Sequence, residues 1–141
     1  MKRGLGALVA LAALTLAGCA GLRPGAEELP PVSRNAAVIA LVDSARADTA
    51  AGKNANAGAN LERALGIEPR NALLWHELAR LRLAQGEYDQ AEAVARKSNA
   101  WAGEDRRVQA ANWRVIGEAH TRRGDSTAAQ AATRRAEELE R

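Results

Sequence analysis

The sequence predicts an all-α fold, a right-handed α-solenoid of three helix-turn-helix repeats. Three observations predict it. Glycines at 52, 86 and 124 each stand between two runs of good helix formers, where a glycine inside one continuous helix would cost about 1 kcal/mol against alanine. Small and large residues recur at fixed offsets from those glycines. The apolar content of 47% draws heavily on alanine, with only 3% aromatic residues and no phenylalanine. Such a core gains little burial per residue, about 0.8 kcal/mol for each CH₂. It therefore depends on helices approaching closely, which favours helix-on-helix packing over a sheet sandwich.

The chain opens "MKRGLGALVALAALTLAGC", with Lys2 and Arg3 ahead of an apolar run from Leu5 to Ala17. Such a run spans about 20 Å at about 1.5 Å per residue, short of a bilayer core of about 30 Å. It has the form of the hydrophobic region of a secretory signal peptide. "LAGC", Leu16 to Cys19, resembles the bacterial lipobox at all four positions. The resemblance implies that residues 1–18 are removed and that the Cys19 thiol carries a diacylglyceryl group, with an N-acyl chain on the new terminus. Cys19 is the only cysteine, so no disulfide can form within the chain. Two or more acyl chains anchor stably where one is marginal. Ala20, rather than Asp, follows the cysteine, and by lipoprotein sorting rules this implies the periplasmic face of the outer membrane.

Residues 20–34, "AGLRPGAEELPPVSR", hold three of the four prolines and two glycines. No periodic apolar face survives there, so residues 19–35 read as lipidated cysteine plus flexible linker. Fifteen such residues reach at most about 50 Å, which keeps the folded part near the membrane.

Residues 36–141 hold the repeats, at about 38–71, 72–105 and 110–141. Seven residues before each glycine lies a small residue: Ala45, Ala79, Gly117. Five after it come Ala57, Ala91 and Ala129, and twelve after it Ala64, Ser98 and Ala136. Eleven before it come the large Leu41, Trp75 and Trp113. Gly52 and Gly86 are 34 residues apart, and this pattern at this period resembles the tetratricopeptide repeat. Antiparallel helices nest when one presents a small residue where the other presents a large one. Ala79 and Ala91 supply the hollows of repeat two, while Trp75, Leu78 and Tyr88 supply the bulk. "ALGIEPRN", 64–71, matches the family's repeat ending, with Pro69 stopping one helix before the next.

Repeat one departs from the pattern at its turn, where Asn54 replaces the usual aromatic residue. Repeat three has Ser126 there, and its glycine follows Gly86 by 38 residues. The four additional residues, Arg106 to Gln109, equal about one helical turn and lengthen a helix capped by Asp105. The final segment, "STAAQAATRRAEELER", is alanine-rich and heavily charged. It reads as its own cap, or as a pairing surface for a second copy if apolar area stays bare.

Charge and chemistry narrow the function classes. The net charge is +3, but removal of Lys2 and Arg3 leaves 18 basic against 17 acidic residues. The signs alternate, as in "RRAEELER", which is a solvated helix face rather than a phosphate-binding stripe; no nucleic acid is expected. His76 and His120 are 44 residues apart at different repeat positions, which is not metal-ligand spacing. No G-x-S-x-G, phosphate loop or H-E-x-x-H occurs, so the chain is read as a non-enzyme without cofactor, metal or small-molecule substrate.

Binding remains. In the tetratricopeptide family the first helices of successive repeats line a concave groove. Carried over by position, that groove would hold Val42, Asp43, Arg46, His76, Glu77, Arg80, Leu83, Arg114, Glu118 and Arg122. The mixture would hold an extended peptide or a protein edge by charge-assisted contacts around a small apolar strip. Trp75 and Trp113 are assigned to packing. Trp101, in the junction "NAWAGEDRR", either plugs a gap between repeats or stands exposed as an interface anchor.

The runs "SRNAAVIALVDSARAD", "LERALGIEPRN", "LWHELARLRLAQGEYDQAE" and "RKSNAWAGEDRRVQAANWRVIGEA" resemble the small tetratricopeptide outer-membrane lipoproteins that activate bifunctional class A penicillin-binding proteins. That resemblance implies an anchored module that docks on a periplasmic domain of the synthase and raises its two activities. Two other readings are a pilotin-like assembly factor for a type IV pilus or secretion secretin, and an accessory subunit of outer-membrane protein assembly. Both belong to families that normally carry longer arrays.

Overall fold

The computed structural model describes residues 28–141. The expected signal peptide at 1–18, the expected lipidated Cys19 and the linker up to residue 27 lie outside the described residues. Six helices and no strand occur among the described residues: α1 (Ala36–Ala50), α2 (Asn54–Ile67), α3 (Ala72–Ala84), α4 (Tyr88–Ala102), α5 (Arg106–Arg123) and α6 (Ser126–Glu140). The fold is the expected all-α solenoid of helix-turn-helix repeats.

Each first helix of a pair begins at a side chain that can accept a hydrogen bond. Asn35 Oδ1 accepts from the Ala37 amide at 2.9 Å, and Asn71 Oδ1 from Leu73 and Leu74 at 2.9 and 3.3 Å. Asp105 does the same for Arg107 and Val108, at 3.1 and 3.3 Å. These oxygens satisfy amides that a helix leaves without an internal partner. The opposite ends close on glycine. Gly86 takes φ 77°, and the following Glu87 amide donates back to the Arg82 carbonyl at 2.9 Å. That left-handed conformation is open to glycine and strained for other residues. Residues 106–109 form the opening turn of α5, which at 18 residues is the longest helix.

The hairpins α1–α2, α3–α4 and α5–α6 stack in sequence order, and no helix of the first hairpin touches one of the third. Val38, Val42, Ala45, Ala57, Leu61, Ala64, Leu74, Leu78 and Leu81 form the core of the first three helices. A second cluster of Ala79, Ala91, Ala95, Val115, Ile116 and Ala132 joins α3 to α6. Alanine is the contact residue where helices cross, as the expected nesting requires: Ala79, Ala91 and Ala95 have no exposed surface. A Cβ built on Gly117 would meet Thr133 Oγ1 at 3.4 Å and the Ala129 carbonyl oxygen at 3.5 Å, so α5 and α6 are in close contact there.

The chain ahead of α1 crosses the end of the stack at which α1, α3 and α5 begin. Asn71 Nδ2 donates to the Val32 carbonyl at 2.7 Å, Ser33 Oγ donates to Glu68 at 2.6 Å, and Val32 packs on the first core. Glu28 and Leu29 reach the cleft between the start of α5 and the end of α6, beside Arg106, Arg107 and Leu139. The final residues of the expected linker thus have fixed neighbours on all three hairpins.

Candidate protein-binding face

The first helices, α1, α3 and α5, lie side by side, and two hollows open between them. One of about 260 Å³ lies between α1 and α3, lined by Ala45, Arg46, Thr49, Glu77, Arg80 and Ala84 among others. The second, about 680 Å³, lies between α3 and α5. Leu83, Ala84, Tyr88 and Val115 give it an apolar floor, and Arg80, Arg114, Glu118 and Arg122 surround them. Arg80 and Ala84 belong to both hollows, so the face is continuous.

The charges on this face are arranged as a ladder. Arg46, Arg80 and Arg114 are spaced by 34 residues, one on each first helix, with side chains 52%, 60% and 49% exposed. Glu77 stands between the first two with little of its side chain in water. Its Oε1 accepts from Arg46 Nε at 3.2 Å and again from Arg46 Nη2, while its Oε2 lies 3.9 Å from Arg80. The hydrogen bond to Glu77 and its charge, with Asp43 adding to them, push the Arg46 pKa up despite partial burial. Arg114 pairs with Glu140 of α6, and Arg122 donates to Glu118 at 2.6 Å. Among Arg46, Arg80 and Arg114, Arg80 has the loosest ion pair and the most exposed side chain, which makes it the best placed of the three to change partners.

Two of the carried-over positions belong elsewhere. Val42 is fully buried in the first core and presents nothing to a groove. His76 is 4% exposed and serves a buried polar chain instead. Its Nδ1 lies 2.8 Å from Asn112 Oδ1. Asn112 Nδ2 donates to Ser98 Oγ at 2.7 Å and to Asn99 Oδ1 at 2.9 Å, and Ser98 Oγ donates to the Ala72 carbonyl at 2.7 Å. With its amide hydrogens committed, Asn112 offers Oδ1 as acceptor, so His76 presents an N–H at Nδ1. Burial lowers the His76 pKa against the opposing pull of Asn112 and Glu77, and the charges of Arg80 and Arg46 lower it further. Glu77 is also buried but remains part of the face through the two arginines it holds. Asp43, Arg46, Arg80, Leu83, Arg114, Glu118 and Arg122 do reach the surface or the hollows.

The tryptophans divide as their surroundings dictate. Trp75 is half-buried on the first core, its Nε1 donating to the Pro69 carbonyl at 2.9 Å and Lys97 Nζ 3.8 Å from its ring centre. Trp113 packs on the second core beneath Arg96. Trp101 plugs no gap; it is 43% exposed, with Arg70 over its ring. Reading the sequence missed Tyr88 and Val115 as floor residues and missed Asn112 altogether. The 34-residue spacing of the three arginines was the available signal for the ladder.

Stacked hairpins with alanine contacts and a hollowed face of first helices define a class: this is a tetratricopeptide-repeat protein, and the tetratricopeptide repeat family profile matches residues 48–112. More particularly, the chain belongs to one family with the globular C-terminal domain of P. aeruginosa LpoP. It is 36% identical to that domain with a TM-score of 0.72, over 74% of this chain and 99% of that one. No curated protein sequence matches.

Proposed function

We propose that the protein is a lipid-anchored periplasmic module that binds a class A penicillin-binding protein and activates it. On this reading residues 1–18 are a signal peptide, Cys19 carries the lipid at the outer membrane, and residues 36–141 are the binding domain. The likeness to the LpoP domain over nearly all of that domain's length is the observation that carries it. It adds to the resemblance between this sequence and the lipoprotein activators of these synthases. The face of α1, α3 and α5 is the docking surface in this proposal, because it combines an apolar floor with solvent-exposed arginines around it. The pilotin and outer-membrane-assembly readings receive no support from the comparisons.

The test is capture of solubilised envelope proteins on the immobilised full chain, followed by glycan-strand synthesis and cross-linking assays with the captured synthase. Recovery of a class A synthase and a rise in its rates on adding the protein are the expected results. Recovery of a secretin in its place, or binding without any change in synthesis, would falsify the activator reading.

A further inference from the structure

Large apolar side chains left in water are unevenly placed on this protein. Among the described residues the exposed large ones are Ile39, Ile67 and Trp101, 38–47% exposed, and all three lie at one end of the stack. Ile39 is in the first turn of α1, Ile67 is the last residue of α2, and Trp101 is the penultimate residue of α4. The opposite end, with the turns at Gly52, Gly86 and Gly124, has none. Arg70, in the turn after Ile67, lays its guanidinium 5.5 Å from the centre of the Trp101 ring, which ties the α2–α3 turn to the end of α4.

This same end receives the chain from its N-terminal side. Glu28 and Leu29 sit beside Arg106 and Arg107, a few residues beyond Trp101 along the chain. From Glu28 back to Cys19 is nine residues, at most about 32 Å of extended chain. An acyl group on Cys19 would therefore keep this end, where the chain enters the fold, within about 32 Å of the lipid headgroups and nearer its attachment point than the glycine-turn end.

We propose that this end of the solenoid is a membrane-docking surface, with Trp101 and Ile67 entering the interfacial layer of a phospholipid bilayer and Arg70 reaching the headgroups. The proposal rests on the lipid-anchor reading of Cys19. Tryptophan favours this layer because its ring is apolar and its indole N–H finds a polar partner there. Arginine can leave its stem on the apolar layer while its head stays among phosphates. Weak contacts suffice, since the anchor supplies a high effective concentration of bilayer. Docking would fix the orientation of the hollowed face relative to the membrane, where a tether alone leaves it free.

The test uses the full chain, processed and lipidated, reconstituted into vesicles of phosphatidylethanolamine and phosphatidylglycerol whose acyl chains are dibrominated. Bromine quenches only indoles within reach of the acyl region. Wild-type fluorescence is expected to be quenched relative to unbrominated vesicles, and most of that quenching is expected to vanish in Trp101→Phe, since Trp75 and Trp113 are packed on cores. Ile67→Ser, which keeps the reporter, should reduce the quenching by half or more with an unchanged thermal midpoint. A wild type that floats with the vesicles but shows no Trp101-dependent quenching overturns docking and leaves the anchor standing. Quenching equal in wild type and Ile67→Ser also overturns it. Failure of the wild type to float would remove the anchor reading and this proposal together.

Discussion

Asn112 has no exposed surface, yet it makes three side-chain hydrogen bonds, to His76 of α3 and to Ser98 and Asn99 of α4. Replacing it with alanine leaves the buried His76 N–H without its acceptor and takes away the donor that Ser98 Oγ accepts from, although the Ser98 hydroxyl keeps its bond to the Ala72 carbonyl. A loss of about 2–3 kcal/mol is expected, seen as a fall of about 10–20 °C in the thermal midpoint of a domain this size. His76 gives the same junction a pH dependence. Its pKa is lowered in the folded state, chiefly by burial, so the unfolded chain takes the proton more readily. The stability held by neutral His76 is complete above the ordinary histidine range, about 6.5, and is lost as pH falls below it. The thermal midpoint should therefore be lower at pH 5.5 than at pH 7.5, and His76→Gln should shrink that difference while lowering the midpoint at pH 7.5. An equal pH difference in both proteins would rule out His76 as its source.

Helices and turns were legible in the sequence because their signals are local. Asn35, Asn71 and Asp105 cap the first helices through their own side chains, and glycine at φ 72–80° ends them. Two substitutions separate the two uses of glycine. At Gly86 a Cβ would meet nothing closer than Tyr88 Oη at 3.8 Å, so Gly86→Ala suffers only from its left-handed backbone and should cost about 1–2 kcal/mol. At Gly117 the backbone is helical and the obstruction is α6. Gly117→Val should cost at least about 1–3 kcal/mol through overpacking against Thr133 and Ala129. Urea unfolding checks both, with an unchanged denaturant slope expected for each. Which face of a helix looks outward was far less legible. Val42 and Arg46 lie about 40° apart around α1, yet one is core and the other is solvated. His76 and Arg80 repeat the same relation on α3. The tilt between hairpins decides that boundary, and tilt depends on every contact at the crossing rather than on any local pattern. The buried Asn112 was invisible for a related reason: a polar residue announces burial only once its partners on two other helices are known.

At the scale of the whole molecule, the array places three arginines, one from each hairpin, along a single face, and binding there can be separated from folding. Arg80 is the position to change. Its side chain is 60% exposed and its ion pair with Glu77 is 3.9 Å long, so Arg80→Glu should move stability by no more than about 0.5 kcal/mol. The reversed charge would then stand beside Glu77 and opposite whatever acidic group a partner presents between the two hollows. Charge reversal at such a site acts through the encounter rate and its salt dependence. Binding to the captured synthase is expected to weaken by about tenfold, equivalent to about 1.4 kcal/mol. Most of that loss should lie in the association rate, and it should narrow as salt is raised. Synthase activation should fall in the same proportion at limiting protein and recover near saturation, because the variant binds less often but is unchanged once bound. Arg134→Glu, also exposed and on α6 but outside both hollows, carries the same change in net charge and serves as the control. If the two variants weaken binding alike, the effect is one of overall charge and the hollowed face is not where the partner docks.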